Sequence, residues 1–354
     1  MGNRPTTTAG DVEQWARSAV AFIPDAASAY PMIAIGKPAK KDGRTIRILV
    51  LSDTHGQHRQ LPLPAEGADV LLHCGDWSNW KTSRKDTEDF NRWLGTLEGY
   101  TRRIVVAGNH ELCLCKQTTQ KIRETMITNA EYYSGGDLVT HDSLKMWLSP
   151  LTRSRNVTYR ANAFSKSSEI LRKEFAKCPD NVDILVTHSP PHGILDKHRK
   201  GHRMGSSELW KTVRRVMPAV HVFGHCHDDG GAESRKILSQ GKWNCQSCTL
   251  ENKPSHLSCS ACKKERLPQK VTFINASNRI NVQPFVLCVH MAGDRIHLGD
   301  DSVLVEGKGE KEDGKEEDDD DDDDDDDGED NDDGEDNDNG NNTDNVAGEI
   351  KSST

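Results

Sequence analysis

The run IRILVL at residues 46–51, followed at once by Ser52-Asp53-Thr54-His55, decides the fold. A short apolar run rich in Val, Ile and Leu, without polar alternation, is the pattern of a strand buried on both faces. The same unit recurs along the chain. VLLH (70–73) leads into Cys74-Gly75-Asp76, and IVVA (104–107) into Gly108-Asn109-His110-Glu111. ILVT (184–187) leads into His188, and VHVF (220–223) into Gly224-His225-Cys226-His227. Two further runs, VTFI (271–274) and FVLCV (285–289), complete the set. Helical patterns over Asp86–Leu97 and Glu208–Met217 fall between them, so strands alternate with helices and the fold class is α/β, in layers. Ligands of such sheets bind beyond the carboxyl ends of the strands. Five strands in order deliver Asp, His or Asn to that edge.

The residue types make chemical sense together. Oxygen donors from Asp and Asn mixed with imidazoles suit Mn, Fe, Zn or Ni rather than a thiolate-seeking metal. A shared carboxylate can bridge two ions about 3.5–4 Å apart, an arrangement used for displacement at phosphorus. Gly75, Gly108 and Gly224 are expected to make tight turns that bring backbone close to the ions. The other histidines, such as His58, His73 and His221, read as ordinary core or surface groups.

SDTH, GD, GNHE, TH and GHCH, in this order and spacing, resemble the calcineurin-like metallophosphoesterase superfamily over roughly residues 45–290. LLHCGDW, FNRWLGTL, VVAGNHEL, DILVTHSPPHGILD, HVFGHCHDDGG and FINAS look closest to its small brain-associated group. The resemblance implies a four-layered β-sandwich flanked by helices, with two divalent metals and phosphodiester hydrolysis, cyclic nucleotides being among the substrates. It places Asp53, His55, Asp76 and His227 on the first metal. Asp76 then bridges to a second, completed by Asn109, His188 and His225. A hydroxide between the ions would attack phosphorus, and His110 would protonate the leaving oxygen. Many family members carry an acid three residues after the bridging Asp, to orient that histidine. Here the position is Asn79, and Glu111 is the candidate replacement. His192, Arg203 and Gly205 resemble a substrate-side loop.

Trp243-x-Cys245-x-x-Cys248 and Cys259-x-x-Cys262 form a second metal pattern. Two C-x-x-C pairs ten residues apart are expected to hold one structural zinc in a closed tetrahedral site. So short a segment has no apolar core, and the metal must supply its folding energy. The pattern resembles the Ran-binding-protein type of zinc finger, whose members bind ubiquitin or single-stranded RNA. Lys253 is the only basic residue between the pairs, so RNA is the less favoured ligand and a protein partner, ubiquitin included, the favoured one. The finger interrupts the enzyme, and it is expected to position a partner or gate the substrate.

The expected division is a flexible lead-in (1–44, with one short helix near Asp11–Phe22), a discontinuous phosphoesterase domain (45–240 and 268–300), the finger insert (241–267) and an acidic disordered tail (301–354). The net charge of -10 averages unlike parts. Residues 1–305 carry 42 Lys or Arg against 31 Asp or Glu, whereas residues 306–354 carry 25 acidic residues and four lysines, with ten consecutive Asp at 318–327. Such a tract cannot bury enough apolar surface to order itself. No apolar run is long enough for a membrane span. The first residues, MGNRPTTTAGDVEQW, lack a signal-peptide pattern, and the ten cysteines do not read as a secreted scaffold. A cytoplasmic or nuclear location without membrane contact is therefore expected. Two alternatives stand beside the enzyme reading: a non-catalytic adaptor, and a nuclease-like enzyme that holds RNA with the finger.

Overall fold

The computed structural model describes residues 22–23, 31–36, 43–154, 160–277, 284–293 and 295–296. The acidic tail lies outside the described residues. So does the helix expected near Asp11–Phe22, apart from Phe22, which begins a strand. In chain order the strands are β1 (Phe22–Ile23), β2 (Met32–Ile35), β3 (Gly43–Leu51), β4 (Ala68–His73), β5 (Tyr100–Val106), β6 (Glu131–Tyr133), β7 (Asp137–His141), β8 (Leu144–Ser149) and β9 (Thr152–Arg153). They continue with β10 (Ser165–Lys166), β11 (Ile184–Thr187), β12 (Val220–Phe223), β13 (Gly231–Ile237), β14 (Trp243–Asn244), β15 (Glu251–Asn252), β16 (Gln269–Asn275), β17 (Phe285–Ala292) and β18 (Arg295–Ile296). The α-helices are α1 (Ser83–Thr96), α2 (Thr119–Thr125), α3 (Ser168–Phe175) and α4 (Ser207–Val216).

Two sheets carry the domain. One runs β1-β2-β17-β3-β4-β5-β6, with β18 on β17, and the other runs β13-β16-β12-β11-β8-β7. β3 to β6 are mutually parallel, as are β8, β11, β12 and β16. Alternate residues of the two sheets face each other: Ile48, Val50, Leu72 and Val106 from one, Met146, Leu148, Val186 and Val222 from the other, all fully buried. Their partners on the outer faces, such as Leu49 and Leu71, or Leu185 and Phe273, pack under helices. α1 buries Thr87, Phe90, Trp93 and Leu94, at i, i+3, i+6 and i+7 along one core-facing stripe. α4 buries Leu209, Thr212, Val213 and Val216 in the same way, and Ser206 caps it by accepting the Leu209 N–H at 3.2 Å. Helix, sheet, sheet, helix make the four expected layers. Each fully buried Leu, Ile or Val contributes about 1.5–3 kcal/mol relative to exposure.

One expectation is corrected. The lead-in is not loose up to residue 44, because β2 pairs in parallel with β17 and buries Ile33 completely. A four-residue strand preceded by Pro31 gives little periodicity to read.

Buried histidines in the sheets make stability depend on pH. His221 on β12 donates from Nε2 to the Thr187 hydroxyl (2.9 Å), which in turn donates to the Ser189 carbonyl. Burial pushes its pKa from 6.5 down to about 3. Burial likewise holds His73 down to about 3, and its Nδ1 accepts the Gly75 N–H (3.2 Å) while Nε2 donates to Thr54. A chain that unfolds gains these protons near pH 6.5, and the native state refuses them until about pH 3. The stability from keeping the rings neutral is therefore complete above pH 6.5 and is lost as pH falls through that window. Urea unfolding followed from pH 7.5 to 5 should show the loss, and His221→Gln should flatten its slope by about 1 kcal/mol per pH unit. An unchanged slope would remove His221 from this account.

Candidate metal centre

The carboxyl ends of β3, β4, β5, β11 and β12 meet at one edge, where both sheets deliver side chains. Hydrogen bonds stitch the loops: Asp53 N–H to the Gly75 carbonyl (2.9 Å), His55 N–H to that of Asp76 (3.0 Å), and Gly224 N–H to that of His188 (2.9 Å). Asp53, His55, Asp76 and His225 all take left-handed backbone, with φ between 42° and 72°. Non-glycine residues rarely adopt this region, and such strain concentrates at functional sites.

Two donor groups result. In the first, His227 Nε2 lies 3.1 Å from Asp53 Oδ1 and 3.2 Å from His55 Nε2. His55 donates its Nδ1–H to the Ser78 carbonyl (3.1 Å), so in the neutral ring Nε2 presents a lone pair. In the second, His188 donates its Nδ1–H to the Cys74 carbonyl (2.8 Å) and turns Nε2 towards Asn109 Oδ1 (3.0 Å) and Asp76 Oδ2 (3.3 Å). Asn109 is oriented by donating Nδ2 to the Ala161 carbonyl (2.9 Å). The His225 ring stands 5.1 Å from that of His188. Ligand atoms of Asp53, His55 and His227, and of Asp76, His188 and His225, each lie within 4.8 Å of one another. Lone pairs that converge with their second nitrogens fixed by carbonyls are the arrangement of a cation site.

The electrostatics agree. Burial would raise the Asp53 carboxyl, but its hydrogen bond to His227 and the nearby His188 and His55 hold it well below the usual range. Asp76 is likewise lowered against the effect of burial, by His188 and then His110. Burial would lower His188, yet Asp76 and Asp53 push it up to about 9. A cation held by His188 would have to displace that proton, so metal uptake would release acid.

At two of the glycines the close approach of backbone is to carboxylates of the centre. Gly108 and Gly224 do not need positive φ. A Cβ on Gly108 would fall 2.2 Å from Asp76 Oδ1, and one on Gly224 would fall 2.2 Å from Asp53 Oδ2. Both are required so that the carboxylates can lie against backbone.

Glu111 does not orient His110, which corrects the expectation. Its carboxylate accepts the N–H groups of Asp76 (2.9 Å), Gly108 (2.6 Å) and Ser78 (3.0 Å), and the Ser78 hydroxyl (2.9 Å). It braces the loops after β4 and β5. Burial and the Asp76 charge push its pKa up to about 8. Asn79 donates to the His55 carbonyl (3.1 Å) rather than to His110. His110 points Nε2 towards Asp76 Oδ2 at 3.9 Å, and its buried Nδ1 has no partner among the described residues. Two supports escaped the sequence reading: the Ser277 hydroxyl, which donates to Asp53 Oδ2 (3.0 Å), and Asn275 Nδ2, which donates to the Cys226 carbonyl (2.8 Å). Both lie in the quoted FINAS stretch, where only their position after a strand hinted at a role.

His192, Arg203 and Gly205 share one loop, organised by the fully buried Asp196. This carboxylate accepts from Arg203 (2.9 Å), Gly205 N–H (3.1 Å) and Gly193 N–H (3.0 Å), and His192 lies 4.0 Å away and half-exposed. The loop is tied to the metal-site loop by Lys197 N–H to Asp229 (2.9 Å) and Arg199 N–H to Asp228 (3.1 Å).

The four cysteines come together elsewhere. Sγ of Cys245 and Cys262, and of Cys248 and Cys259, lie 3.4 Å apart, and all four sulfurs fall within 4.8 Å of one another. Each C-x-x-C closes a matching turn, with Thr249 N–H bonded to the Cys245 carbonyl (2.8 Å) and Lys263 N–H to that of Cys259 (3.0 Å). Thr249 and Lys263 are both left-handed. Backbone N–H groups of Cys262 and Ala261 pull the Cys259 thiol down to about 6, which favours the metal-binding thiolate. The insert sits between β13 and β16, which pair from Gly231↔Asn275 to Ile237↔Gln269. The first pair is at the metal edge, so β13 carries the chain about 20 Å from that edge before the insert begins, by the rise of a seven-residue strand.

Comparisons with known proteins fit this geometry. Metallophosphoesterase domain-containing protein 1 of Homo sapiens is 32% identical over 234 residues, covering 59% of this chain and 68% of that protein. A UPF0046 protein of Caenorhabditis elegans is 31% identical over 219 residues, covering 58% of this chain and 70% of that protein. Among solved structures, TT1561 of Thermus thermophilus aligns with a TM-score of 0.39 at 13% identity, over 56% of this chain and 90% of that one. The calcineurin-like phosphoesterase family matches residues 46–229, which hold every candidate ligand of the centre, and the chain belongs to that family.

Proposed function

We propose that the chain is a dinuclear-metal phosphoesterase that prefers phosphodiesters to monoesters. The convergence of lone pairs at the sheet edge carries the reading. Asp53, His55 and His227 hold one cation, Asn109, His188 and His225 the other, and Asp76 lies between. When bound, two divalent cations polarise the phosphoryl group and supply an activated water. The donor set suits Mn, Fe, Zn or Ni. The chain's own part is to fix the donors through the Ser78, Cys74 and Ala161 carbonyls and to hold a proton at His110. Burial depresses the His110 pKa and Asp76 only partly restores it. The ring therefore takes its proton when the anionic ester lies beside it, and returns it to the leaving oxygen.

That role has a test. With Mn2+ present, His110→Asn should slow a diester with an alkyl leaving group about 10²-fold. A 4-nitrophenyl diester, whose leaving group needs little protonation, should lose less than about tenfold. Equal losses on both would deny His110 the acid role.

The four-cysteine insert is a zinc-held contact module for a protein partner. Leu250, Leu257 and Leu267 are 41%, 67% and 57% exposed, an apolar surface suited to another protein. Trp243 is not free to stack on a base: its Nε1–H donates to the His256 carbonyl (3.0 Å), and the Arg266 guanidinium lies 5.3 Å over its ring.

A further inference from the structure

Two loops that support metal ligands meet again outside the donor groups. Trp80 lies four residues beyond Asp76, on the loop leaving β4. Arg160 immediately precedes Ala161, whose carbonyl orients Asn109. The Arg160 guanidinium stands 5.5 Å from the centre of the Trp80 ring, and the Lys81 ammonium 5.2 Å from it. The loop beneath Trp80 is fixed to the centre, because the Ser78 carbonyl receives the His55 Nδ1–H (3.1 Å) and Asn79 donates to the His55 carbonyl (3.1 Å). Arg160 is exposed and has no carboxylate partner among the described residues. A guanidinium resting on an aromatic face keeps its N–H edge free, and that planar fork matches phosphate oxygens. An exposed arginine over an aromatic ring, next in sequence to the carbonyl that orients a candidate metal ligand, has no carboxylate partner among the described residues to explain it.

We propose that Arg160, shelved on Trp80, is a positioning residue that binds a phosphoryl oxygen of the anionic ester at the metal centre. The proposal rests on the phosphoesterase reading. In the metal-loaded full chain, Arg160→Ala should raise KM for an aryl phosphodiester about tenfold while kcat falls far less. Inorganic phosphate, titrated calorimetrically, should bind about tenfold more weakly. Arg160→Lys should recover only part of this, since an ammonium neither stacks flat nor forks. Trp80→Ala should match Arg160→Ala, and the double variant should be no worse than either, because the two act as one unit. Additive losses from the two changes, or an unchanged KM and phosphate affinity in Arg160→Ala, overturn the shelf and leave the phosphoesterase reading standing. A fall in kcat and thermal stability without a change in KM also overturns it, by making Arg160 structural. A wild type that neither hydrolyses the ester nor binds phosphate overturns the reading and the shelf together.

Discussion

Asp76→Asn should abolish metal-dependent hydrolysis, with a fall of about 10³-fold or more in kcat/KM. Asp76 belongs with His188 and His225, and its carboxylate also lies within 4.8 Å of His55 and His110. Asp76 and His55 are thus the two side chains that link the donor groups among the described residues, and Asp76 is the carboxylate of the pair. The substitution removes one negative charge from a buried position and weakens the hold on both cations at once. It should not harm the fold. Asn can still accept the His110 N–H that Asp76 Oδ1 now accepts at 2.9 Å. The charges of Asp53 and Asp76 oppose one another, and that of Asp76 raises Glu111. Removing the Asp76 charge relieves that repulsion but also forfeits its pairing with His188, which outweighs it and, against the effect of burial, holds the Asp76 carboxyl below the usual range. Thermal unfolding in chelator should therefore show a cooperative transition with a midpoint modestly below that of wild type, alongside the lost activity. A variant that keeps a tenth of its activity would show that Asp76 does not bridge.

Glu111→Ala should produce the largest loss of stability at the site. Three buried backbone N–H groups, those of Asp76, Ser78 and Gly108, would lose their acceptor together. Each orphaned group costs about 1–3 kcal/mol, so the total is of order 3–9 kcal/mol. The left-handed backbone of Asp76 would lose the contact that helps hold it. Glu111→Gln keeps one acceptor and should cost less. Urea unfolding checks the order Ala, then Gln, then wild type. A cost below about 1 kcal/mol for Glu111→Ala would mean that water or relaxation replaces the brace.

The contrast between Asp76 and Glu111 shows what is legible in a single chain. Asp76, Asn109, His188 and His225 could be read because each follows directly from a buried strand, and a strand end fixes where the next residue goes. Glu111 stands in the same GNHE motif, but its partners are backbone groups 33 and 35 residues away as well as at Gly108. Nothing in local spacing says which way a carboxylate turns. Among the strands that escaped the sequence reading, β6, β7 and β13 end their sheets and carry charged and polar residues, as edge positions do, whereas β2 and β8 are interior but short. The four-cysteine cluster was legible from its spacing, yet where the insert joins the sheet is a matter of topology. β13 runs antiparallel to β16 and carries the chain away from the metal edge before the insert begins. The pairing of Trp80 with Arg160 joins loops 80 residues apart, and no pattern in either one announces it.

The account stands on two cations held at one sheet edge and acting on phosphorus. The most direct test titrates Mn2+ into metal-depleted wild type while following hydrolysis of bis(4-nitrophenyl) phosphate. Activity should rise from nothing, saturate when two equivalents are bound at this centre, and be absent at every metal level in Asp76→Asn. Hydrolysis that is independent of metal, or no hydrolysis of the diester at any Mn2+ level, would contradict it.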